Sequence, residues 1–211
     1  MFTDEIEAYI LSHSDEEGDL LRTLNRDANV NLLRPRMLSG HLQGRLLKMF
    51  CRMMRPRRVL EIGTYTGYAT LCLAEGMEEG GLVHTLEIND EMEDFTRQWI
   101  EGSPVADRID FRIGDANVEA PRLGIMFDMA FVDGDKRTYR ETFDTLLPII
   151  RQGGYIIADN TLWDGHVVDP AYAKDSQTHG IDTFNDYIAR DTRVEKVILP
   201  IRDGLTIIRK K

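Results

Sequence analysis

The chain has few cysteines, no long apolar run and no excess of positive charge, and each absence excludes a class of protein. Cys51 and Cys72 are its only cysteines, which indicates free thiols in a reducing compartment and not a disulfide-stabilised secreted fold. No apolar run is long enough to cross a bilayer, so we expect no membrane partner. The acidic start lacks the basic and apolar segments of a signal peptide, so we expect a cytoplasmic protein.

The balance of charge argues against general electrostatic binding to nucleic acid, which depends on a basic surface. The formal net charge is −10. The exception is a basic segment at 52–58, with Arg34 and Arg36 upstream of it. We interpret this Arg34–Arg58 patch as part of a solvated turn before the first strand. Contact between the patch and phosphates is the alternative.

The N-terminal part of the chain has helical patterns and no convincing strand. Residues 1–54 are interpreted as a helical cap, in which Asp4 caps a first helix and residues 14–17 resemble the start of a second. A third helix is predicted at 40–54 because its apolar residues recur on one face. We separate this cap from a second unit at 55–211.

Within 55–211, strand patterns alternate with helical patterns. Strands are predicted at 59–62, 82–87, 109–113, 126–132, 154–158, 194–199 and 205–209. Gly153 and Gly154 fit the end of a helix at 138–150, and Asp203-Gly204 fits a hairpin turn between the last two strands. The order predicts an α/β fold: a doubly wound, Rossmann-like sheet, mostly parallel, with an antiparallel C-terminal strand. Residues 163–180 lack clear periodicity, so we expect a lid or a pocket wall there.

Two of the predicted strands end on oxygen-bearing side chains. Asp133 follows the strand at 126–132, and Asp159 and Asn160 follow the strand at 154–158. The carboxyl ends of parallel strands meet at one edge of the sheet, so these residues converge there. Three oxygen ligands without cysteine or histidine suit Mg²⁺, with Mn²⁺ or Ca²⁺ as alternatives, and we expect His166 and His179 not to be ligands.

The first strand leads into a glycine-containing turn at 61–67. Tyr65 stands where a dinucleotide-binding turn would have its second glycine, so a pyrophosphate ligand is disfavoured. Glu87 ends the second strand, where an acid accepts hydrogen bonds from ribose hydroxyls, and Asp115 follows the third, within reach of an adenine amino group. Together with Glu61 before the turn, these acids describe a site for S-adenosylmethionine.

Four segments carry a resemblance to a known family. They are 36–40 (RMLSG), 60–68 (LEIGTYTGY), 131–136 (FVDGDK) and 158–165 (ADNTLWDG). On these segments the chain resembles the divalent-metal-dependent O-methyltransferases, the family of catechol and caffeoyl-CoA O-methyltransferases and their small bacterial relatives. The resemblance spans about residues 34–209.

The resemblance implies a role for each matching residue. Asp133, Asp159 and Asn160 would bind the metal, Asp133 would also face the cofactor, and Lys136 would be the catalytic base. The residues implied to surround S-adenosylmethionine are Met37, Ser39, Glu61, Gly63, Tyr68, Ala69, Glu87, Asp115, Ala116 and Asp133.

Two positions depart from the family pattern. Many relatives have a serine where this chain has Ala69, so one hydrogen bond to the methionine carboxylate is expected to be missing. Caffeoyl-CoA enzymes commonly have an arginine near the position of Asp182, which disfavours a CoA ester as the acceptor here. Asn185, on a helix predicted at 182–189, either faces the active site or lies on the helix surface.

Three functions compete. The first is transfer of a methyl group to a hydroxyl of a catechol-like or phenolic small molecule. The second, within the same family, is methylation of 5-hydroxyuridine in tRNA, with the Arg34–Arg58 patch on phosphates. The third is a non-catalytic adenosyl-ligand-binding protein, which retention of the metal residues and Lys136 disfavours. Relatives are commonly homodimers, and we expect part of such an interface in the N-terminal helices from the apolar residues Leu20, Leu21, Leu24, Leu32 and Leu33.

Overall fold

The computed structural model describes residues 3–211, so Met1 and Phe2, the beginning of the acidic N-terminal segment, lie outside the described residues. The α-helices of the described part are α1 (Asp4–Ser12), α2 (Asp19–Asn31), α3 (Gly40–Met54), α4 (Tyr68–Gly76), α5 (Glu93–Glu101), α6 (Ala116–Arg122), α7 (Tyr139–Leu146) and α8 (Ser176–Arg190). The strands are β1 (Arg58–Ile62), β2 (Leu82–Glu87), β3 (Ile109–Ile113), β4 (Phe127–Val132), β5 (Ile150–Asp159), β6 (Val194–Leu199) and β7 (Leu205–Lys210). Across residues 3–211, no helix is both long and apolar enough to span a bilayer.

The strands form one seven-stranded sheet in the order β3-β2-β1-β4-β5-β7-β6. The pairings from β3 to β5 are parallel, and β7 lies antiparallel to both β5 and β6. The predicted doubly wound sheet with an antiparallel C-terminal strand is therefore confirmed. The two final strands are also neighbours, as the Asp203-Gly204 turn predicts.

Each face of the sheet is covered by its own apolar cluster. Alternate strand residues point to opposite faces, so Val59 belongs to the cluster under α2, α3 and α4, while Leu60 belongs to the cluster under α7 and α8. Cys51 and Cys72 are buried, unpaired thiols in the first of these clusters. The N-terminal helices thus share their core with the sheet.

The register of the parallel strands brings their carboxyl ends to one level. Ile62 of β1 lies opposite Leu86 of β2 on one side and Val132 of β4 on the other. Val132 in turn lies opposite Ala158 of β5. The residues one position further along the chain are therefore also aligned across the sheet. They are Gly63, Glu87, Asp133 and Asp159.

The prediction that Gly153 and Gly154 end a helix at 138–150 is wrong. Helix α7 ends at Leu146, and β5 already begins at Ile150. The pairing shifts from Phe127–Ile150 to Met129–Tyr155, so the two glycines lie in a bulge of β5. Gly153 has φ +75°, and a side chain on Gly154 would clash with the Asp128 carbonyl, so both positions require glycine.

Three helix starts also differ from the prediction. Thr3, and not Asp4, is the N-cap residue of α1. Helix α2 begins at Asp19 and not at 14–17, because Gly18 before it has φ +85°, which breaks the helix. Helix α8 begins at Ser176, where the Asp175 side chain accepts a hydrogen bond from the Thr178 amide. The segment without periodicity therefore ends before 176, and it contains short 3₁₀ turns.

Candidate active site

The aligned strand ends form a cleft with Asp133 at its centre. The Asp133 amide donates to the Ile62 carbonyl at 2.8 Å, which joins the end of β4 to the turn after β1. Gly63 in that turn has φ +90°, and a Cβ there would overlap the Asp133 carbonyl. Only glycine permits this approach, so the glycine turn and the acidic end of β4 are in direct contact.

Asp159 is the buried carboxylate of the cleft, with 4% of its surface exposed. Its Oδ2 accepts from Gln43 Nε2 at 2.5 Å, and its Oδ1 accepts from the Asn160 amide at 2.8 Å. Burial raises the pKa of Asp159, the charge of Asp133 raises it further, and Lys136 opposes the shift. A cation bound near both carboxylates would offset the repulsion between Asp133 and Asp159.

Asn160 adopts the left-handed backbone region with φ +56°, which asparagine tolerates better than most residues. The next residue, Thr161, holds this conformation through three elements. Its amide donates to the Gly204 carbonyl at 3.1 Å, its hydroxyl accepts from Thr206 at 2.7 Å, and its carbonyl accepts from Asn185 Nδ2 at 2.7 Å. Asn185 therefore contacts the segment that follows β5 and does not lie free on the helix surface.

Lys136 lies under the cleft and is buried. Its Nζ donates to Asp133 Oδ1 at 2.7 Å and to the Tyr139 hydroxyl at 2.8 Å. Burial by itself lowers the pKa of Lys136, but the charges of Asp133 and Asp159 and the hydrogen bond to Asp133 outweigh it and raise the pKa overall. Asp135, next in the chain, pairs instead with Arg137.

The donor set of the cleft fits a hard divalent cation. Asp133, Asp159 and Asn160 supply carboxylate and amide oxygens, the groups that Mg²⁺ prefers. Among residues 3–211, no cluster of three or more His, Cys, Asp or Glu side chains is arranged to hold a metal. A cation site in the cleft would therefore consist of two carboxylates and one side-chain amide. His166 stacks on Tyr172, with ring centroids 3.5 Å apart.

The glycine turn is held by Glu87. Tyr65, with φ +49°, donates its amide to Glu87 Oε2 at 2.8 Å, and the Asn89 amide donates to Glu87 Oε1 at 2.9 Å. The Tyr65 hydroxyl donates to the Arg34 carbonyl at 2.9 Å, so the segment before α3 lies over the turn. Glu87 thus lies at the predicted end of β2 and orders the turn in front of it.

Glu61 lies beneath the turn and not at its surface. The side chain is fully buried, and its Oε2 accepts from the hydroxyls of Thr70 and Thr85, while Oε1 has no hydrogen-bond partner among the described residues. Burial raises its pKa to about 8; the threonine bonds oppose the shift, and Asp133 and Glu87 add to it. Glu61 therefore links β1 to α4 and β2.

The other residues expected to bind the cofactor differ in how deeply they are buried and in what they contact. Asp115 is exposed and caps α6 by accepting from the Asn117 amide at 2.9 Å. The Tyr68 ring lies against Gly44 of α3, and its hydroxyl donates to Glu17. Ala69 and Ala116 are buried at the first turns of α4 and α6. In the segment before α3, Met37 is half exposed and Ser39 is buried.

Sequence reasoning missed three polar residues of the site. They are Gln43, Tyr139 and Arg202. Gln43 had a detectable signal, because it lies four residues before the buried Leu47 on the apolar face of α3. Arg202 had none, since its contact with Gln43 joins residues 159 positions apart.

A cavity of about 250 Å³ lies beside the segment that follows β5. Its lining includes His166, Val168, Pro170, His179 and Asp182. The helix that forms one wall also packs on the loop of Lys136, since a Cβ on Gly180 would overlap the Lys136 carbonyl. The cavity therefore borders the elements that carry the cleft.

Comparison with known proteins gives consistent results. A family model described as O-methyltransferase matches residues 11–211. A caffeoyl-CoA O-methyltransferase of Mesembryanthemum crystallinum is 35% identical, covering 80% of this chain and 70% of the relative. Tricin synthase 1 of Oryza sativa is 34% identical, covering 82% and 75%.

Solved structures agree over nearly the whole chain. An SAH-bound methyltransferase of Podospora anserina superposes with a TM-score of 0.91 at 27% identity, covering 100% of this chain and 97% of the other. An O-methyltransferase of Bacillus cereus in complex with SAH gives 0.88 at 29% identity, covering 98% and 97%.

Proposed function

The chain belongs to the O-methyltransferase family, and we propose that it transfers the methyl group of S-adenosylmethionine to a hydroxyl of a catechol-like or phenolic small molecule, using a divalent cation. The observation that carries the proposal is the alignment of Gly63, Asp133 and Asp159 at one level of the sheet. Asp133 then borders both the turn expected at the cofactor and the carboxylate expected at the cation.

The residues of the cleft have separate tasks in this reaction. Asp133, Asp159 and Asn160 would hold the cation, which would lower the pKa of an acceptor hydroxyl by stabilising its anion. Glu87 orders the turn expected at the cofactor. The chain would thereby position the acceptor beside the methyl donor, and positioning of this kind supplies much of the rate.

Lys136 is the residue that we assign to accept the hydroxyl proton, at Nζ. Its Nζ lies 2.7 Å from Asp133 Oδ1, on the same carboxylate that we assign to the cation. The Tyr139 hydroxyl holds Nζ from the other side, so the amine is fixed in place. For this role the ammonium must first lose a proton. Burial favours that loss, but the charges of Asp133 and Asp159 oppose it and keep the pKa of Lys136 raised, and a cation bound to these carboxylates would weaken their opposition.

The lining of the cavity favours a small, uncharged acceptor. The described residues that line it, all between 166 and 182, include Asp169 and Asp182 but no lysine or arginine. A CoA ester carries several phosphate charges that these residues do not balance. Valine, proline and imidazole groups instead suit an aromatic ring.

Methylation of tRNA is the second candidate. The Arg34–Arg58 patch on which it depends lies partly at one end of the strands and partly at the other. Residues 52–57 precede β1 and Arg58 begins it, so this segment lies at the amino end of the strands, opposite the cleft, and Arg55 pairs with Glu78. Arg34 is on the side of the cleft, because its carbonyl accepts from Tyr65. RNA at the cleft would therefore depend on Arg34 and Arg36, and not on the whole patch.

The test is transfer of a labelled methyl group from S-adenosylmethionine. Catechol, caffeic acid and hydroxyuridine-containing tRNA are each offered with Mg²⁺ and with chelator. We expect transfer to a catechol that stops with chelator and returns with added Mg²⁺. Transfer to tRNA alone, lost on neutralising Arg34 and Arg36, would favour the second candidate. Cofactor binding without transfer to any acceptor would favour a non-catalytic adenosyl-binding protein.

Lys136→Met tests the base in the same assay. We expect kcat to fall by about 10²- to 10⁴-fold, the usual contribution of a positioned general base. The control is Lys196→Met on the edge strand β6, which removes an exposed lysine. Unchanged turnover by Lys136→Met at saturating Mg²⁺ would remove Lys136 from the mechanism and leave the cation's role intact.

A further inference from the structure

Gln43 is a buried polar side chain through which the N-terminal segment reaches the cation site. Only 2% of its surface is exposed. Its Nε2 donates to Asp159 Oδ2 at 2.5 Å, and its Oε1 accepts from Arg202 Nη1 at 3.1 Å. Both ends of the amide are therefore used, one towards a carboxylate and the other towards a guanidinium.

Arg202 and Asp159 together fix the orientation of the Gln43 amide. A guanidinium only donates hydrogen bonds, so it must face the amide oxygen, and an ionised carboxylate only accepts, so it must face the amide nitrogen. Within residues 3–211, Arg202 is the hydrogen-bond partner found for Gln43 Oε1. Without Arg202 the amide keeps its bond to Asp159 but loses the contact that holds its other end.

The turn that carries Arg202 contacts the other side of the site as well. Asp203 Oδ2 lies 3.5 Å from Asn160 Nδ2, and the Asp203 carbonyl accepts from the Leu162 amide at 2.7 Å. Arg202 also lies 3.5 Å from the Leu38 carbonyl, in the segment that contains Met37 and Ser39. The β6–β7 turn thus lies between the residues assigned to the cation and the segment expected over the cofactor.

We propose that Gln43 and Arg202 are positioning residues for the cation site. The Gln43 side chain donates to one carboxylate oxygen of Asp159, and the Asn160 backbone N–H donates to the other. The remaining lone pairs then have a fixed direction, towards the cleft, and Arg202 maintains this arrangement through the Gln43 amide. The assignment rests on the proposed function, since it assumes that Asp159 binds a divalent cation.

The test is the affinity for Mn²⁺ alone, measured by titration calorimetry on the full chain. Gln43→Met keeps the size of the side chain but removes both hydrogen bonds, and Arg202→Met removes the guanidinium. We expect Gln43→Met to weaken Mn²⁺ binding about 10- to 100-fold, the usual effect of losing a group that orients a ligand. Arg202→Met is expected to weaken it less, and Arg202→Lys to restore part of the loss.

A double variant separates positioning from a general loss of structure. Because Arg202 acts through Gln43, adding Arg202→Met to Gln43→Met should cause no further loss, whereas two independent defects would add. The matched control is Arg209→Met, in the same hairpin, where the arginine pairs with Glu195 on the surface. This control should bind Mn²⁺ like the unaltered chain. Thermal unfolding midpoints identify any variant that does not fold.

The outcomes distinguish this assignment from the proposed function. If the unaltered chain binds Mn²⁺ and both single variants bind it equally well, the assignment is overturned and the proposed function stands. If the unaltered chain binds no Mn²⁺ and transfers methyl groups in chelator, the cation requirement fails and the assignment fails with it. If Gln43→Met does not fold, Arg202→Met and Arg202→Lys decide, since Arg202 lies at the surface.

Discussion

Glu61 shows how a single buried acid affects the molecule beyond its hydrogen bonds. Its carboxyl group is fully enclosed and has a pKa raised to about 8, mainly by burial. The folded chain therefore keeps a proton on Glu61 at pH values where the unfolded chain, near the ordinary value of 4.5, has lost it. Folding is then coupled to proton uptake at this residue.

We predict a pH-dependent effect of Glu61→Gln on the free energy of unfolding. At Glu61 the native state binds more protons than the unfolded state between the two pKa values, so the contribution of Glu61 to the stability of the unaltered chain falls as pH rises from about 4.5 to about 8. The contribution of Glu61 to this slope is at most about 1.4 kcal/mol per pH unit. Glu61→Gln removes it, so the stability of the variant relative to the unaltered chain should rise with pH and level off above pH 8.

Urea unfolding at several pH values measures this difference. Glu101→Gln, an exposed glutamate at the end of α5, is the control and should give a curve parallel to that of the unaltered chain. A parallel curve for Glu61→Gln as well would show that Glu61 is ionised in the folded state.

The sequence predicts which residues lie together at the strand ends better than it predicts how exposed their side chains are. Asp133, Asp159 and Asn160 were predicted to converge because strand ends of a parallel sheet must meet, and the register brings them together. Whether Glu61 faces the turn or lies beneath it depends on Thr70 and Thr85, which only the packed structure brings to it. The direction of the Tyr68 side chain likewise depends on Glu17, 51 positions away.

At the scale of elements, α8 supports the loop of Lys136 through direct backbone contact. Gly180 is the residue at the contact, and a Cβ there would lie 2.4 Å from the Lys136 carbonyl oxygen. No side chain of the helix separates the two backbones at this point. The position of the Lys136 loop therefore depends on how closely α8 approaches it.

Gly180→Ala is predicted to destabilise the chain. In an unobstructed helix interior, alanine in place of glycine is favourable by roughly 0.5 to 1 kcal/mol. Here the added methyl group overlaps backbone atoms, so we expect a loss of about 1 to 3 kcal/mol, as for overpacked cores. Urea unfolding measures the sign, and Asp182→Ala on the exposed side of the same helix is the control. A more stable Gly180→Ala variant would contradict the close packing.

The elements themselves follow from local pattern more than from distant contacts. The bounds of β2, β3 and β6 match the prediction, because apolar runs and their turns are local signals. The bulge of β5 does not match the prediction, because a Gly-Gly pair is compatible both with the end of a helix and with a bulge. Only the pairing of Phe127 with Ile150 distinguishes the two.

At the scale of the whole molecule, apolar surface remains at the N-terminal end. Leu21 and Leu24, predicted for a subunit interface, belong instead to the core, and Leu20 and Leu32 pack against it. Their apolar periodicity reflects contact with α3 and α4, which the sequence alone does not distinguish from contact with a partner. Exposed apolar side chains of this region are Ile6, Tyr9, Leu11, Val30 and Leu33.

We predict that the chain forms a homodimer through this N-terminal surface. None of the residues of α1, Asp4–Ser12, is buried in the single chain, so its apolar side gains burial only from another surface. Sedimentation equilibrium should give twice the chain mass, and Tyr9→Glu with Leu11→Glu should shift it to the monomer. Val118→Glu, an exposed apolar position on α6, is the control. A monomer at all concentrations would exclude this interface.

The place of β7 in the sheet also has a consequence for how the chain reaches its native state. The last two strands form a hairpin from nearby residues, yet β7 lies between β5 and β6 and pairs with β5. Until that hairpin docks, β5 presents an unpaired edge over the apolar stretch Tyr155 to Ala158, which another chain is able to extend. The hairpin that carries Arg202 to Gln43 therefore also closes an edge that is open to aggregation during synthesis and refolding.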